Sequence, residues 1–374
     1  MRRLTAVQEK TIERFAKALI DEQNRRVLIP PMGDHEGFWF GGGSVVEGAD
    51  GRLCLSGRYR NPGDSRHGVG KGERGLELAV FESRDRGASF QKLLSFSKKD
   101  LSRDGAEVIS IEGSSLLLLD GRVELYVSTE KNGRNYPSEL SSFQKPGTGI
   151  WSIDLLSAPR FEDLKSAQVE KVVASDEPTR LHVKDPVVLP MANGDTYLFY
   201  CTHPFSWSST NSALAIRPAG ASRFGASRHD LLDRGAAWDV AISRITGFLE
   251  LPLVGIFRNG PPVTLVFYDG GECLRNHSAH PMGVERPRGY SCEELGGLGY
   301  VVDQDFSEVI RLSETAPYFV SPWGTGASRY ASALLTAESV WAFWEQSQQS
   351  GAQPLVSNTL EMGRVEELLS ANGG

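Results

Sequence analysis

Three acidic residues each lie at the start of an apolar segment that leads to a turn. Glu112 opens EGSSLLLLDG, Asp185 opens DPVVLPMANG, and Asp239 lies at the start of WDVAISRIT. In the first two segments the turn begins eight residues after the acid. Carboxylates that lie close together acquire different pKa values, because the charge on one opposes ionisation of the next. The three residues are therefore candidates for general acid and general base chemistry, provided that the fold brings them together.

The same spacing recurs where no acid is present. Gly42 lies eight residues before a turn at 50–51, and Arg329 lies eight residues before a turn at 337–338. Each turn leads into a second apolar segment, and these segments are LCLSGRYR, VELYVSTE, TYLFYCTH, VTLVFYDGG and VWAFWEQS. Five copies of one hairpin predict an all-β fold, a five-bladed β-propeller with a four-stranded sheet in each blade.

Further apolar segments supply the third and fourth strands of the blades. Examples are LELAVFESRD and FQKLLSFS in blade 1, and LGYVVDQD and EVIRLSE in blade 4. Blade 5 has no obvious fourth strand of its own. The segment RRVLIPP, which precedes blade 1, is predicted to supply that strand and to close the ring.

The segment SRDRGASF at 83–90 lies between the predicted third and fourth strands of blade 1. It resembles the Asp-box of sialidases, S-x-D-x-G-x-[ST]-[WF], which forms this turn in propellers. The resemblance implies a structural role on the face opposite the active site, so it indicates a propeller rather than a sialidase. A generic polar hairpin turn is the alternative interpretation.

The first strand of each propeller blade lines the central channel, and the residue that opens it lies at the mouth of the channel. The five equivalent positions are predicted to be Gly42, Glu112, Asp185, Asp239 and Arg329. Like charges are seldom gathered without a use, because repulsion and desolvation both oppose it. For each acid taken singly, a structural role between neighbouring blades is the alternative.

A five-bladed propeller that contains DPVVLPMANGDTYLFY resembles glycoside hydrolases of the arabinanase/xylosidase and invertase/levanase families. The resemblance covers roughly residues 30–360 and rests on the architecture and this one motif. It implies three central carboxylates: a base or nucleophile, a general acid, and a third that tunes the pKa of the acid. Asp185 matches the tuning residue of the arabinanase type, or the transition-state stabiliser of the invertase type.

One position departs from the pattern of those families, which place an Asp on the first inner strand where this chain has Gly42. Either Glu112 takes the missing role, or Asp34 or Glu36 reaches in from the loop GDHEGFWF. We expect Glu112 to act as the base and Asp239 as the acid. The full set of catalytic candidates is Asp185, Glu112, Asp239 and Glu36.

The loops that follow the second strands should form the walls of the central pocket. They are rich in Arg, His, Asn and aromatic residues, which suit the hydroxyl groups and the faces of sugars. Arginines beside the acids would keep carboxylates ionised or bind an anionic sugar. The candidate substrate-binding residues are Arg58, Arg60, Asp34, His203, Arg244, Arg288, Glu294, Arg329, Tyr330 and Glu345.

One predicted loop contains Cys273, His277, His280 and Cys292, which are residue types that bind zinc. Their spacing matches no standard zinc finger, so we predict neither a metal nor a cofactor. Four cysteines in a chain of 374 residues do not indicate a disulfide framework.

The composition bears on partners and location. A net charge of −7 does not favour nucleic acid or anionic membranes as partners, and it leaves the oligomeric state open. The N-terminal segment has no signal-peptide core, and its apolar residues fall at helical spacing. We therefore expect a cytoplasmic protein, with a helix in residues 1–26 packed on a propeller domain of residues 27–374.

Together these features predict a glycoside hydrolase that acts on small oligosaccharides or glycosides. A glycoside phosphorylase or transglycosidase would use the same acids, the phosphorylase with added cations for phosphate. A polysaccharide lyase would depend instead on His35, His203 and Tyr330 as candidate bases. A non-catalytic carbohydrate-binding propeller is the remaining alternative, because a fold alone does not fix a function.

Overall fold

Antiparallel hairpins dominate the chain and are arranged as five sheets whose inner strands surround a central channel. The computed structural model describes residues 2–61, 75–103, 105–119, 121–144, 147–203, 209–271 and 294–370. The all-β, five-bladed propeller that the hairpin repeat predicts is confirmed.

Four blades use strands that follow one another along the chain, and blade 5 borrows one strand from the N-terminus. Blade 1 contains β2 (Trp39–Gly41) and β3 (Val45–Glu47) at the inner position, then β4 (Leu53–Arg60), β5 (Glu77–Ser83) and β6 (Gln91–Ser97). Blade 2 contains β7 (Val108–Leu119), β8 (Arg122–Lys131), β9 (Ile150–Ala158) and β10 (Glu170–Val173). Blade 3 contains β11 (His182–Pro190), β12 (Thr196–His203), β13 (Asn211–Arg217) and β14 (Arg228–His229). Blade 4 contains β15 (Ile242–Glu250), β16 (Val263–Gly271), β17 (Leu295–Val302) and β18 (Ile310–Arg311). Blade 5 contains β19 (Ser328–Leu335), β20 (Ser339–Gln346), β21 (Leu355–Glu361) and β1 (Arg26–Ile29).

The turns between first and second strands follow the sequence signals that predict them. Gly51, Gly121 and Gly194 have φ angles of 75°, 76° and 86°, a left-handed conformation that glycine adopts without a steric penalty. The second strands are buried on both faces because each sheet packs between two neighbours. In β8, for example, every residue after Arg122 is buried.

The ring of blades is closed by the N-terminal segment, as the sequence predicts. Strand β1 pairs antiparallel with β21, so that Val27 lies opposite Val356 and Ile29 opposite Leu355. Ile29 is buried in a core shared by blades 5 and 1, where Phe40 is one of its neighbours.

Three α-helices lie among the described residues: α1 (Ala6–Leu19), α2 (Lys98–Leu101) and α3 (Met362–Leu368). Helix α1 is the amphipathic helix that the N-terminal sequence predicts. Thr5 caps it, and Ile12, Phe15 and Leu19 are buried against blades 4 and 5. In the part of the chain that the structure describes, no helix is long and apolar enough to cross a membrane.

Side-chain hydroxyls on the strands near the axis fix the register between neighbouring blades. The Ser44 hydroxyl accepts a hydrogen bond from Leu116 N at 2.8 Å, and the Ser128 hydroxyl accepts one from Asp185 N at 2.8 Å. The inner strands of all five blades also line a channel cavity of about 440 Å³. The two hydrogen bonds fix blade 1 against blade 2 and blade 2 against blade 3.

The register of two inner strands differs from the prediction. Strand β15 begins at Ile242, after Asp239, so the predicted position of Asp239 at the mouth of the channel is wrong. In blade 5 the pairing irregularity follows Arg329 as it follows Lys184 in blade 3, so Tyr330 is the counterpart of Asp185. The hairpins of blades 4 and 5 lack the Asp-Gly or Asn-Gly turn that marks the register in blades 1 to 3.

The segment 83–90 lies between β5 and β6, the third and fourth strands of blade 1. Asp85 accepts hydrogen bonds from the Ser83 hydroxyl at 2.7 Å and from the Ser89 hydroxyl at 2.6 Å. The bonds from Ser89, followed by the one from Ser83, lower the pKa of Asp85 to about 2. The relation of this turn to the Asp-box stays a prediction.

Candidate active site

Charged side chains from all five blades meet at the upper end of the channel. We call this set the central charge cluster, and its members are Arg58, Glu112, Asp185, Arg244, Asp269, Glu294, Arg329 and Glu345, gathered around Tyr330. None of these side chains is more than 9% exposed. Because an unpaired charge is very costly to bury, each member needs a partner of opposite sign.

Two arginines join three glutamates on one side of the cluster. Arg58 Nε donates to Glu112 Oε2 at 2.7 Å, and its Nη1 donates to Glu345 Oε1 at 3.0 Å. Arg329 Nε donates to Glu345 Oε2 at 2.9 Å, and its Nη1 donates to Glu294 Oε2 at 2.6 Å. Glu345 is thus held from both sides, between Glu112 and Glu294.

Arg244 continues the alternation of charge on the other side. Its Nη1 donates to Asp185 Oδ2 at 3.1 Å, and its Nη2 lies 2.6 Å from Asp269 Oδ2 and 3.0 Å from Glu294 Oε2. Asp185 Oδ1 in turn accepts from the backbone N–H of Gly113 at 3.2 Å. The cluster therefore alternates in charge from Glu112 to Asp185. Its two ends lie close together, because Asp185 contacts Gly113, the residue that follows Glu112.

Glu112 is held in its ionised form. Burial alone would raise the pKa of Glu112, but Lys184, Arg58 and Arg60 lower it well below its usual range. Arg60 Nη1 lies 3.8 Å from Glu112 Oε1, opposite the oxygen that Arg58 contacts. An ionised, partly accessible carboxylate suits the role of base or nucleophile, as the sequence predicts for this residue.

Asp269 and Glu294 behave differently, because they share one guanidinium group. Burial raises the pKa of Asp269 to about 7, and the nearby charge of Glu294 adds to the effect. Burial also opposes ionisation of Glu294, but Arg244 and Arg329 keep the pKa of Glu294 well below its usual value. The pair therefore takes up one proton as pH falls through about 7, and that proton is favoured on Asp269.

The Asp185–Pro186 step has an unusual backbone. Asp185 has a φ of 54°, in the left-handed region that non-glycine residues rarely adopt and that a following proline further disfavours. This conformation turns the carboxylate inward to Arg244 and to the backbone of Gly113. A Cβ added at Gly113 would lie 2.7 Å from Asp185 Oδ1, so glycine is required there.

Aromatic rings line the cluster. The guanidinium groups of Arg60 and Arg329 lie 4.2 and 4.3 Å from the ring of Trp39, and that of Arg244 lies 4.1 Å from the ring of Tyr330. Such stacking keeps the guanidinium planes fixed while their edges bind carboxylates. An arrangement of fixed charges beside aromatic faces suits a sugar, which offers hydroxyls at its rim and C–H groups on its faces.

His203 lies beside the cluster at the end of β12. Its Nδ1 is 3.3 Å from the Thr210 hydroxyl, and its Nε2 is 3.9 Å from Cys201 Sγ. Burial, Lys184 and Arg244 hold the pKa of His203 well below its usual value, so the imidazole is neutral. A neutral ring of this kind can donate or accept one hydrogen bond but is a weak base.

Several predicted site residues lie elsewhere. Asp239 is buried in blade 4, where its Oδ2 lies 3.1 Å from Arg311 Nε and accepts from the Tyr268 hydroxyl at 3.2 Å. Asp34 and Glu36 are exposed: Asp34 accepts from the Ser350 hydroxyl at 2.6 Å, and Glu36 packs against the turn at 348–351. They do not reach the central charge cluster because their loop is held by blade 5.

Other predictions fall outside the described residues. Arg288 and the loop with Cys273, His277, His280 and Cys292 are in this group. Of the remaining cysteines, Cys54 and Cys201 are buried free thiols. Within the described ranges, no group of three His, Cys, Asp or Glu residues is arranged to hold a metal ion.

Two residues of the site were not singled out by the sequence. Asp269 ends the segment VTLVFYDGG, where Asp-Gly is typical of a turn. Lys184 precedes Asp185 and lies over the Trp151 ring at 4.6 Å. A sequence signal for Asp269 does exist, because Asp269, Arg58 and Glu345 occupy equivalent positions on the second strands of their blades. Each lies opposite a residue of the inner strand: Arg244, Gly41 and Arg329, respectively.

The comparison with solved structures identifies proteins of the same fold. A glycoside hydrolase matches with a TM-score of 0.62 and 11% identity, over 96% of this chain and 96% of its own. An α-L-arabinofuranosidase from Lactobacillus brevis matches with 0.54 and 10% identity, over 92% and 93%. A β-1,2-mannobiose phosphorylase from Listeria innocua matches with 0.52 and 15% identity, over 91% and 96%.

The predicted resemblance to the arabinanase/xylosidase type is thus confirmed at the level of fold, since family-43 glycoside hydrolases and a β-xylosidase also match. Identities this low show a shared architecture only, and the chemistry depends on the residues of the site. No protein-family model matches the chain, and no curated protein matches its sequence.

Proposed function

We propose that the protein is a glycoside hydrolase that cleaves small oligosaccharides or glycosides by carboxylate acid–base catalysis at the central charge cluster. The observation that carries the proposal is the asymmetry between two carboxyl sites. Glu112 is held ionised by three cations, whereas Asp269 and Glu294 together take up a proton as pH falls through about 7. Hydrolysis of a glycosidic bond needs this combination of an ionised and a protonated carboxyl group.

We assign Glu112 as the base or nucleophile and the Asp269–Glu294 pair as the proton donor. Glu112 and Glu294 are 5% and 6% exposed, whereas Asp269 and Glu345 are fully buried, so the first two are the acids that a substrate can contact. Because the two carboxyl groups titrate as a pair, Glu294 donates the proton from the microstate in which it is protonated and Asp269 is ionised. Asp185 orients Arg244 between the two sites.

The first test uses glycosides with good and poor leaving groups. Glu112→Gln should lower kcat by at least ~100-fold on nitrophenyl glycosides and on unactivated disaccharides alike. Glu294→Gln should cost more on the disaccharide, because nitrophenolate leaves without protonation. The readouts are nitrophenol release and reducing-sugar formation.

Asp239→Asn is the matched control, because Asp239 is equally buried and ion-paired but lies outside the cluster. It should leave kcat unchanged below its melting temperature. Equal losses in all three variants would assign the acids a structural role. Sugar binding without turnover of any substrate would identify a carbohydrate-binding propeller instead.

A glycoside phosphorylase is the second candidate. Arg60 and Lys184 flank Glu112 in addition to Arg58, and a cationic group beside the attacking position suits phosphate. The likeness to a mannobiose phosphorylase is of fold only. Adding inorganic phosphate decides between the two: a hydrolase releases free sugar at an unchanged rate, and a phosphorylase releases sugar phosphate.

The lyase alternative gains no support from the candidate bases. His35 is exposed, with its Nδ1 3.2 Å from the Glu36 carbonyl oxygen, and lies with Glu36 outside the cluster. Burial raises the pKa of Tyr330 well above its usual value, so it stays protonated. The cytoplasmic location expected from the N-terminal sequence stays a prediction.

A further inference from the structure

We propose that Tyr330 is a catalytic residue whose phenol oxygen contacts the sugar at the bond that is cleaved and stabilises the positive charge that develops there. The inference rests on the proposed hydrolase function. It follows from the backbone of Tyr330, from the partner of its hydroxyl, and from its place in the centre of the cluster.

The backbone of Tyr330 is strained in the same way as that of Asp185. Tyr330 has a φ of 52° and Asp185 a φ of 54°, whereas the corresponding position in blade 1 is Gly42, with a φ of 64°. Left-handed geometry is a true outlier for a bulky residue, and such strain is concentrated at functional sites. Two blades therefore carry a polar side chain where glycine would fit without strain.

The two strained residues meet across the channel. The Tyr330 hydroxyl donates to Asp185 Oδ1 over 3.3 Å, and Tyr330 N donates to Asp269 at 3.1 Å. Tyr330 is thus held at its backbone by Asp269, a member of the proton-donor pair, and at its hydroxyl by Asp185, which orients Arg244. Because its proton faces Asp185, the lone pairs of the phenol oxygen remain for another contact.

The surroundings keep the phenol neutral and polarised. Arg244, Arg58 and Arg329 lie 4.1, 5.4 and 5.5 Å from the ring of Tyr330, and each is paired with carboxylates. Burial and the charge of Asp185 raise the pKa of Tyr330, so the group donates to Asp185 without ionising. A phenol that donates to a carboxylate carries extra negative charge on oxygen, which attracts an oxocarbenium-like sugar.

The chain contains a matched control. Tyr268 also donates to a buried aspartate, Asp239 Oδ2, at 3.2 Å, and Arg311 Nε lies 3.1 Å from the same oxygen. Tyr268 repeats the tyrosine–aspartate–arginine contact of Tyr330, Asp185 and Arg244, but without a positive φ and outside the cluster. A role in stability alone would affect both tyrosines alike.

The experiment compares Tyr330→Phe with Tyr268→Phe by steady-state kinetics and thermal unfolding. Tyr330→Phe should lower kcat by ~100-fold or more, with KM within a few fold and Tm unchanged. Tyr268→Phe should leave kcat unchanged. If Tyr330→Phe keeps its kcat, or loses activity only in proportion to its folded fraction, the inference is overturned.

Two further variants make the test decisive. Tyr330→Asn replaces the ring with a residue that tolerates left-handed backbone, so it should fold even if the Phe variant does not, and it should be inactive. In an Asp185→Asn background, Tyr330→Phe should still cost activity; no added loss would mean that Tyr330 only positions Asp185.

The outcomes also separate this inference from the proposed function. A wild-type protein that cleaves no glycoside removes both. A wild-type protein that is active, with Glu112→Gln inactive and Tyr330→Phe fully active, removes only the inference about Tyr330.

Discussion

Asp269 and Glu294 both lie within hydrogen-bond distance of Arg244 Nη2, and this shared contact predicts a pH dependence. The pKa of Asp269 is raised to about 7, so the pair holds its proton below that pH and loses it above. We expect kcat/KM to fall as pH rises through about 7, because the proton donor is lost. Asp269→Asn should remove this alkaline limb from whatever activity remains, and Asp239→Asn should keep it. A limb that persists in Asp269→Asn would contradict the assignment.

At the scale of single residues, the sequence predicts which side chains meet at the centre of the propeller but not which of them pair with each other. Asp185, Glu112, Arg58 and Glu345 follow from spacing along the inner and second strands. Their partners do not, because Arg58 and Glu345 contact each other across the junction of blades 1 and 5. Asp269 was missed for a related reason: Asp-Gly is typical of a turn, and only the pairing of β16 with β15 brings Asp269 to Arg244.

The segment after helix α1 joins the N-terminus to blade 5 through Glu22. Glu22 Oε1 accepts from the Ser328 hydroxyl at 2.5 Å, and the Glu22 carbonyl oxygen accepts from Gln346 Nε2 at 2.8 Å. Glu22 Oε2 is buried with no hydrogen-bond partner among the described residues. Burial raises the pKa of Glu22 from 4.5 to about 7, and Asp21 adds to the increase.

This raised pKa predicts how the free energy of unfolding changes with pH. The folded protein binds the Glu22 proton more tightly than the unfolded chain, so the stabilisation is complete below pH 4.5 and is lost as pH rises through about 7. The loss is at most about 3 kcal/mol. Chemical denaturation of Glu22→Gln should show a smaller decrease over this range than wild type, whereas exposed Glu47→Gln should match wild type. Equal slopes in all three proteins would contradict the role of Glu22.

The elements themselves were predictable wherever a turn marks the register. The hairpins of blades 1 to 3 have Asp-Gly or Asn-Gly turns with left-handed glycines. Glu112 and Asp185 join the central charge cluster, but they do not open their strands, because β7 begins at Val108 and β11 at His182. Blade 4 replaces the tight turn with a longer connection that contains the short 3-10 helix Gly255–Phe257, so the eight-residue count does not fix the start of its inner strand. The strand in fact begins at Ile242, which leaves Asp239 outside the cluster.

The architecture of the whole molecule follows from repetition. A hairpin that recurs five times cannot bury both faces of its sheet alone, and stacking with two neighbours buries them. The closing strand could be predicted for the same reason, since blade 5 was one strand short and one apolar segment remained. The central charge cluster could be predicted only as a set of candidates, because its pairs depend on the distance between blades.

Closure of the ring gives the prediction that belongs to the whole molecule. Ile29 is 4% exposed in the core between blades 5 and 1, whereas Val27 in the same strand is 44% exposed. Ile29→Ala should lower the free energy of unfolding by about 2–5 kcal/mol, because it leaves a cavity where the first and last blades meet. Val27→Ala should cost less than about 0.5 kcal/mol. Chemical denaturation measures both, and equal effects would mean that β1 does not hold the ring closed. Below the melting temperature Ile29→Ala should keep its kcat, because the central charge cluster contains no residue of β1.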